Sequence, residues 1–107
     1  MKFVYVCSPY RGDVERNVAK AHGYCRFAVT QGVIPLAPHI YFTQFLDDDI
    51  PEERSAGLRM GLKILERCDE LWVFGARISE GMKAEIRVAE QLGIPVLYFS
   101  DRCEKLS

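Results

Sequence analysis

Short apolar runs that alternate with helical stretches are the feature that most limits how this chain can fold. Runs rich in β-branched and aromatic residues occupy positions 3–7, 33–36, 70–74 and 95–99, with amphipathic segments between them. Apolar runs of this length predict strands that are covered on both faces. Strands that alternate with helices form parallel sheets through right-handed crossovers. The pattern therefore predicts an α/β domain.

The strand order follows from the simplest connections. Asp13 can cap a helix whose apolar residues recur at helical spacing as far as Val29, so the first two strands and this helix form a βαβ unit. Pro35 lacks a backbone donor, which favours an edge position for the second strand. We expect a flavodoxin- or Rossmann-like three-layer sandwich with a short parallel sheet in the order 2-1-3-4. Residues 1–107 form one such domain.

Two further helices and a tail complete the predicted architecture. One helix opens at Pro51 and ends near Cys68, whereas the segment 41–49 reads as a loop or a short helical turn. The last helix begins at Ser79. Its predicted inward residues are Met82, Ile86, Ala89 and Leu92. The tail 100–107 is polar, so we expect it to be loose.

Composition limits the partners and the compartment. With a formal net charge of −1, the chain lacks the positive excess on which polynucleotide binding depends, and no run reaches the roughly 18 apolar residues of a membrane span. The 4 cysteines are scattered and the opening segment is too short for a signal peptide, which predicts reduced thiols in the cytoplasm. No metal-ligand spacing is present, so we expect neither a metal nor another cofactor.

The loop after the first strand is the first candidate binding element. In the predicted sheet it lies beside the loop after the third strand, at the reversal of winding where ligands bind. Its backbone amides and the following helix dipole can receive an anion, and Arg11 adds a guanidinium. A purely structural interpretation remains open, in which Gly12 and Asp13 only form the turn and the cap.

The segment that opens the last helix is the second candidate element. Ser79 is placed as its N-cap, and Gly81 allows a ligand close to the first turn. Glu85 flanks the buried helix face and can point into a cleft, although a surface ion pair is the alternative. The hydroxyl of Tyr5 needs a partner, either a carboxylate or the backbone. His39 follows the second strand, where it either touches a ligand or is merely exposed.

Three motifs together point to a known superfamily. They are Val4-Tyr-Val-Cys-Ser-Pro-Tyr-Arg-Gly12, Cys68-Asp-Glu-Leu-Trp-Val-Phe74 and Ser79-x-Gly-x-x-x-Glu85. In this combination the chain resembles the nucleoside 2-deoxyribosyltransferase superfamily over nearly its whole length, and within it the short bacterial and phage-associated proteins. Its site pattern is similar to that of the deoxynucleoside 5′-monophosphate N-glycosidases. The resemblance implies cleavage of the N-glycosidic bond of a small nucleoside or nucleotide.

The resemblance also implies roles for individual residues. Glu85 matches the glutamate that attacks the anomeric carbon in a retaining double displacement, and Tyr5 matches the tyrosine that positions it. The residues implied to surround a 5′-phosphate are Ser8, Arg11, Gly12 and Ser79. Because the relatives complete their sites across subunits, a homodimer or larger homo-oligomer is expected.

Gly61 departs from the family pattern. It stands eight positions before Asp69, where the family usually has an aspartate that handles the base and its proton. Either His39 or an acid in the segment 47–49 protonates the base instead, or the chain is a non-catalytic nucleotide-binding or sensing module. The sequence leaves both possibilities open.

Overall fold

The strands and helices follow the alternation in the sequence. A computed structural model describes residues 1–106 of the chain. Its strands are β1 (Phe3–Cys7), β2 (Ile34–Leu36), β3 (Glu70–Phe74) and β4 (Val96–Phe99), and its helices are α1 (Val14–Thr30), α2 (Pro38–Tyr41), α3 (Pro51–Glu66) and α4 (Glu80–Gln91). A 3-10 turn at Phe42–Gln44 follows α2. The segment 41–49, expected to be a loop or a short helical turn, thus contains the last residue of α2 and this 3-10 turn and then continues as turns and loop.

The sheet has the predicted order. Its strands lie in the order β2-β1-β3-β4, and every neighbouring pair is parallel. β1 is central, with Tyr5 in register with Leu36 on one side and Leu71 on the other. The chain reverses its winding between β1 and β3, so the loops after these two strands meet at the carboxyl edge. This edge positions the candidate site.

Side chains of the central strands alternate between two separate cores. Val4 and Val6 pack in the core beneath α1, whereas Tyr5 and Cys7 pack in the core beneath α3 and α4. The period of two in a β-strand produces this division. Any polar group at positions 5 or 7 is therefore held against α3 and α4.

The helix caps are those expected, and they set where α1 and α4 begin. The side chain of Asp13 accepts a hydrogen bond from the amide of Arg16 at 3.2 Å. Ser79 Oγ accepts one from the amide of Met82 at 3.2 Å. Among the helices in residues 1–106, none combines the length and the apolar character needed to cross a membrane.

Three apolar residues of the predicted helix stripes do not face inward. Val14 is 39% exposed, Val29 is 61% exposed and Leu92 is 50% exposed. In α1 the buried residues are Ala21, Tyr24 and Ala28, so the packed stripe is rotated away from Val29. Leu92 follows the last residue of α4 and caps the helix with its backbone, which leaves its side chain at the surface. The prediction for α1 was wrong because helical spacing alone does not fix the angle at which a stripe meets the sheet, and the prediction for Leu92 was wrong because α4 ends one residue before it.

The tail is ordered rather than loose. After β4 the chain turns back, and the amide of Leu106 donates to the carbonyl of Tyr98 at 2.8 Å. Ser100 closes the turn because its Oγ accepts from the amide of Glu104 at 3.1 Å. These backbone contacts attach the tail to the edge strand, so the expectation of a loose tail was wrong for residues 100–106. Ser107 lies outside the described residues.

Candidate active site

A cleft of about 280 Å³ opens at the carboxyl edge of β1 and β3. The residues singled out by sequence that line it are Tyr5, Ser8, Arg11, His39, Ser79, Gly81 and Glu85. Gly12 lies beside the cleft and lines a neighbouring depression instead. Its φ of +100° explains the glycine, because this turn conformation is strained for a residue with a side chain.

Glu85 is the most constrained polar residue of the cleft. Its Oε2 accepts a hydrogen bond from the hydroxyl of Tyr5, and its Oε1 accepts one from the thiol of Cys7 at 3.3 Å. Both donors lie on β1, whereas Glu85 comes from α4, whose first turn enters the same edge. Within residues 1–106 no basic side chain forms an ion pair with Glu85. The carboxylate thus lies in the cleft rather than in a surface ion pair.

The protonation states follow from burial and from these two contacts. Burial raises the pKa of Glu85, while the hydrogen bonds from Tyr5 and Cys7 oppose that rise because they stabilise the carboxylate. Burial and the adjacent Glu85 raise the pKa of Tyr5 and of Cys7 well above their usual ranges. Both therefore keep their protons and serve as donors.

His39 and Ser8 form a second polar pair in the cleft. Ser8 Oγ lies 2.9 Å from His39 Nε2, and the carbonyl of His39 accepts from Thr43 Oγ1 at 2.7 Å. Burial lowers the pKa of His39 to about 4. The imidazole is neutral at neutral pH, so it is available for hydrogen bonding but holds no spare proton as imidazolium. This disfavours His39 as the acid that protonates a leaving base.

Arg11 lines the cleft and also forms ion pairs with two acidic neighbours. Its guanidinium nitrogens lie 3.5 Å from Asp48 and 3.4 Å from Asp49. Arg54, from the first turns of α3, lines the same cleft. An anion bound here would contact a guanidinium that is already partly neutralised, with Arg54 as a second cation.

Gly61 has a packing role that the sequence does not reveal. A Cβ built at this position would lie 3.3 Å from the hydroxyl of Tyr5 and 3.7 Å from the Cβ of Pro38. The glycine therefore lets α3 approach the hydroxyl that holds Glu85. A side chain at position 61 would require Tyr5 or α3 to move by a few tenths of an ångström.

Comparisons with known proteins agree with this architecture. The model of a family described as a domain of unknown function (DUF7768) matches residues 2–99. The chain belongs to this family. No curated protein matches the sequence.

Two solved structures resemble this DUF7768 domain. One is a 2-deoxyribosyltransferase from the psychrotolerant bacterium Bacillus psychrosaccharolyticus, with a TM-score of 0.68, 22% identity and coverage of 92% of this chain and 72% of the other. The other is a 2-deoxyribosyltransferase from Leishmania mexicana, with a TM-score of 0.61, 20% identity and coverage of 94% of this chain and 65% of the other. The domain has a deoxyribosyltransferase-like fold, as expected from its motifs.

Several residues of the DUF7768 cleft escaped the sequence analysis. They are Cys7 behind Glu85 and, in the lining, Tyr10, Phe42, Thr43, Arg54, Leu58 and Glu80. Cys7 had a usable signal, since it lies two residues after Tyr5 on the same strand face. The residues from α3 and the 3-10 turn had none, because only the tertiary fold brings those elements over the sheet edge. In the described part of the chain no cluster of metal-ligand side chains forms.

Proposed function

We propose that this domain cleaves the N-glycosidic bond of a nucleoside or nucleoside 5′-monophosphate, with Glu85 as the nucleophile. The observation that carries the proposal is the carboxylate of Glu85 in the cleft, held through both oxygens by Tyr5 and Cys7. A nucleophilic carboxylate needs a fixed orientation and an ionised state, and two donors favour both. The fold similarity to 2-deoxyribosyltransferases supports the same assignment.

The chemistry is a double displacement at C1′ of the sugar. An oxygen of Glu85 attacks C1′ while the C1′–N bond breaks, so the base departs with the bonding electrons and an ester joins the sugar to the enzyme. Water then attacks C1′, the ester bond breaks, and the carboxylate is restored. The proton that water releases balances the one that the base takes up. An acceptor base in place of water would make the same reaction a transfer.

A 5′-phosphate is the proposed anchor of the substrate. Ser79, Glu80 and Gly81 line the cleft at the start of α4, where amides of the first helical turn lack intrahelical acceptors. Arg11 and Arg54 add positive charge at the cleft. The residues proposed to bind substrate are thus Ser8, Arg11, Gly12, His39, Ser79 and Gly81, with Gly12 acting through the turn it forms.

A nucleotide-sensing module without catalysis is the second candidate. It is favoured by Gly61, where α3 packs so closely on Tyr5 that an acidic side chain does not fit without movement. At the position where the resemblance implies an acid, the chain has a glycine that packs on Tyr5. Asp48 remains in the cleft, paired with Arg11. The sensor would use the same cleft for binding and release the ligand unchanged.

Base release separates the two candidates. The purified chain is incubated with deoxynucleosides, ribonucleosides and their 5′-monophosphates, and free base is measured by chromatography. We expect release from at least one compound, with the 5′-monophosphate preferred. Trapped glycosyl-enzyme detected by mass spectrometry on Glu85 would establish the covalent step. Saturable binding of a nucleotide with no base release across the panel would contradict the enzymatic function and support the sensor.

We also propose that the chain forms a homodimer or larger homo-oligomer in the cytoplasm. Tyr41 and Phe45 are 58% and 59% exposed, and their rings contact each other and Phe42, which lines the cleft. Exposed aromatic clusters of this kind are common at subunit interfaces. The free cysteines are consistent with a reducing compartment. Sedimentation that shows only monomer at micromolar concentration would contradict the assembly.

A further inference from the structure

Cys7 makes a contact that simple packing does not require. Its side chain is completely buried, and its Sγ lies 3.3 Å from Oε1 of Glu85. The other acceptor within reach is the carbonyl of Met82 at 4.0 Å, the limit for a sulfur donor. A buried cysteine usually behaves as a small apolar residue, so a thiol directed at a carboxylate needs an explanation.

The position of Cys7 on β1 supplies that explanation. Tyr5 and Cys7 lie two residues apart on the central strand and therefore on the same face of the sheet. Each donates to a different oxygen of Glu85. Two donors from one rigid strand define the plane of the carboxylate, whereas the Tyr5 contact alone would leave it free to rotate about its Cγ–Cδ bond.

We propose that Cys7 is a positioning residue that orients the carboxylate of Glu85 jointly with Tyr5. A thiol is a weak donor, so it can fix Oε1 while withdrawing little charge from the oxygen. A hydroxyl at the same place would bind the carboxylate more strongly and reduce its nucleophilicity. The catalytic consequence rests on the proposed function, but the contact itself is testable without turnover.

The other ionisable groups around Glu85 are known and stay constant in the test. Those lining the same cleft are Tyr10, Arg11 and Asp48 from the loops, His39 from α2, Arg54 from α3 and Glu80 from α4. Tyr5 is the remaining ionisable group in contact with the carboxylate. None of them is altered when Cys7 is replaced, so a change in the titration of Glu85 reports on the thiol.

The first test titrates Glu85 by NMR on protein with isotope-labelled glutamate, its signal assigned by its loss in Glu85→Gln. Cys7→Ala removes the donor, so we expect the pKa of Glu85 to rise. Cys7→Ser supplies a stronger donor, so the pKa should fall back to the wild-type value or below. If Cys7→Ala is too unstable to purify, Cys7→Val fills the space without a donor and carries the same expectation.

Cys68→Ala is the matched control. Cys68 is buried in the same core as Cys7, but its thiol donates to the carbonyl of Ile64 at 3.3 Å and not to Glu85. The control therefore removes the same atom from the same core without touching the carboxylate. Equal titrations of Glu85 in Cys7→Ala, Cys68→Ala and wild type would overturn the proposal.

The second test is kinetic. In an active enzyme, Cys7→Ala should lower kcat about tenfold with little change in KM, as expected when one hydrogen bond to a charged group is lost. Because the pKa of Glu85 should rise, the acid limb of the pH profile of kcat should shift to higher pH. Cys7→Ser should restore that limb. If Cys7→Ala and Cys68→Ala lower kcat equally, Cys7 contributes only packing. If the wild type releases no base, the proposed function fails while the titration still decides the role of Cys7.

Discussion

The two cores on either side of the sheet differ in what they bury. The core beneath α1, here called the aromatic core, is made of Val4, Val6, Tyr24, Ala28, Trp72, Phe74 and Phe99. Its rings are stacked, with centroids 4.4 Å apart for Tyr24 and Phe74 and 5.0 Å apart for Phe74 and Phe99. Stacked rings contribute packing energy beyond the area that they bury, and the indole N–H of Trp72 donates to Oε1 of Glu70 at 2.8 Å.

The core beneath α3 and α4, here called the site core, buries polar atoms as well. Tyr5 and Cys7 lie in it with Leu65 and Met82, and their polar atoms meet the partly buried Glu85. A buried carboxylate without a cation is unfavourable, which is why burial raises the pKa of Glu85. The aromatic core thus holds rings packed on rings, whereas the site core holds the contacts on which the proposed chemistry depends, although both use alternate residues of the same strands.

Replacing Glu85 should have the largest effect on function and little effect on the fold. In Glu85→Gln the amide keeps the shape of the side chain but cannot attack C1′, so base release should fall by several orders of magnitude. Glu90→Gln, an exposed position on the same helix, is the control and should keep wild-type activity. Equal base release by wild type and Glu85→Gln would show that the assigned mechanism is wrong.

The strand order was predicted from the sequence, whereas the packing of the aromatic core was not. Alternation of apolar runs and helices determines a parallel order with few alternatives, and that prediction was confirmed. The spacing in α1 did not identify Tyr24 as a buried residue, because the angle at which the helix meets Trp72 and Phe74 depends on side chains from other elements. Hydropathy likewise did not predict that the tail is ordered, because its order depends on local hydrogen bonds such as the one that Ser100 Oγ accepts from the amide of Glu104.

The candidate site was predictable in its residues but not in its connections. The resemblance implied that Tyr5 positions Glu85, and the structure brings their side chains into contact. The partners of Arg11 could not be foreseen, since Asp48 and Asp49 lie far along the chain in a segment without clear periodicity. Sequence patterns place elements at an edge, whereas ion pairs depend on how the loops between elements fold.

Truncating a side chain at the centre of the aromatic core should lower stability and spare activity, which is the opposite of what we expect for Glu85→Gln. Phe74 is fully buried, so Phe74→Ala should lower the free energy of unfolding by about 3–5 kcal/mol, measured by urea denaturation. Base release per folded molecule should stay near the wild-type value because Phe74 does not line the cleft. Phe99→Leu offers a milder variant if Phe74→Ala does not fold. A loss of kcat with unchanged stability would break the division between the two cores.

The decrease in unfolding free energy at acidic pH should depend on the protonation of His39. Its pKa is lowered to about 4 by burial, so its folded form binds a proton less readily than its unfolded form, near 6.5. The stabilisation from the neutral ring is therefore present above pH 6.5 and is lost as the pH falls towards about 4. The loss amounts to at most roughly 3 kcal/mol.

Variants at the two histidines isolate this contribution. In His39→Gln the decrease in unfolding free energy between pH 6.5 and 4 should be smaller than in the wild type, measured by urea denaturation across that range. His22→Gln, on the exposed side of α1, is the matched surface control. The same pH slope in wild type and His39→Gln would mean that His39 does not titrate as its burial implies.

The smallest effect is expected at Arg11, at the outer margin of the site. Its side chain is 49% exposed and its guanidinium forms ion pairs with Asp48 and Asp49, so much of its charge is already screened or neutralised. Arg11→Ala should weaken binding of a 5′-monophosphate by about tenfold or less and leave the unphosphorylated nucleoside nearly unaffected, as calorimetry would show. Asp48→Asn should act in the opposite direction, because it frees the guanidinium for the phosphate. If Arg11→Ala weakens nucleoside and nucleotide equally, the residue shapes the loop rather than the anion site, and Arg54 becomes the cation to replace next.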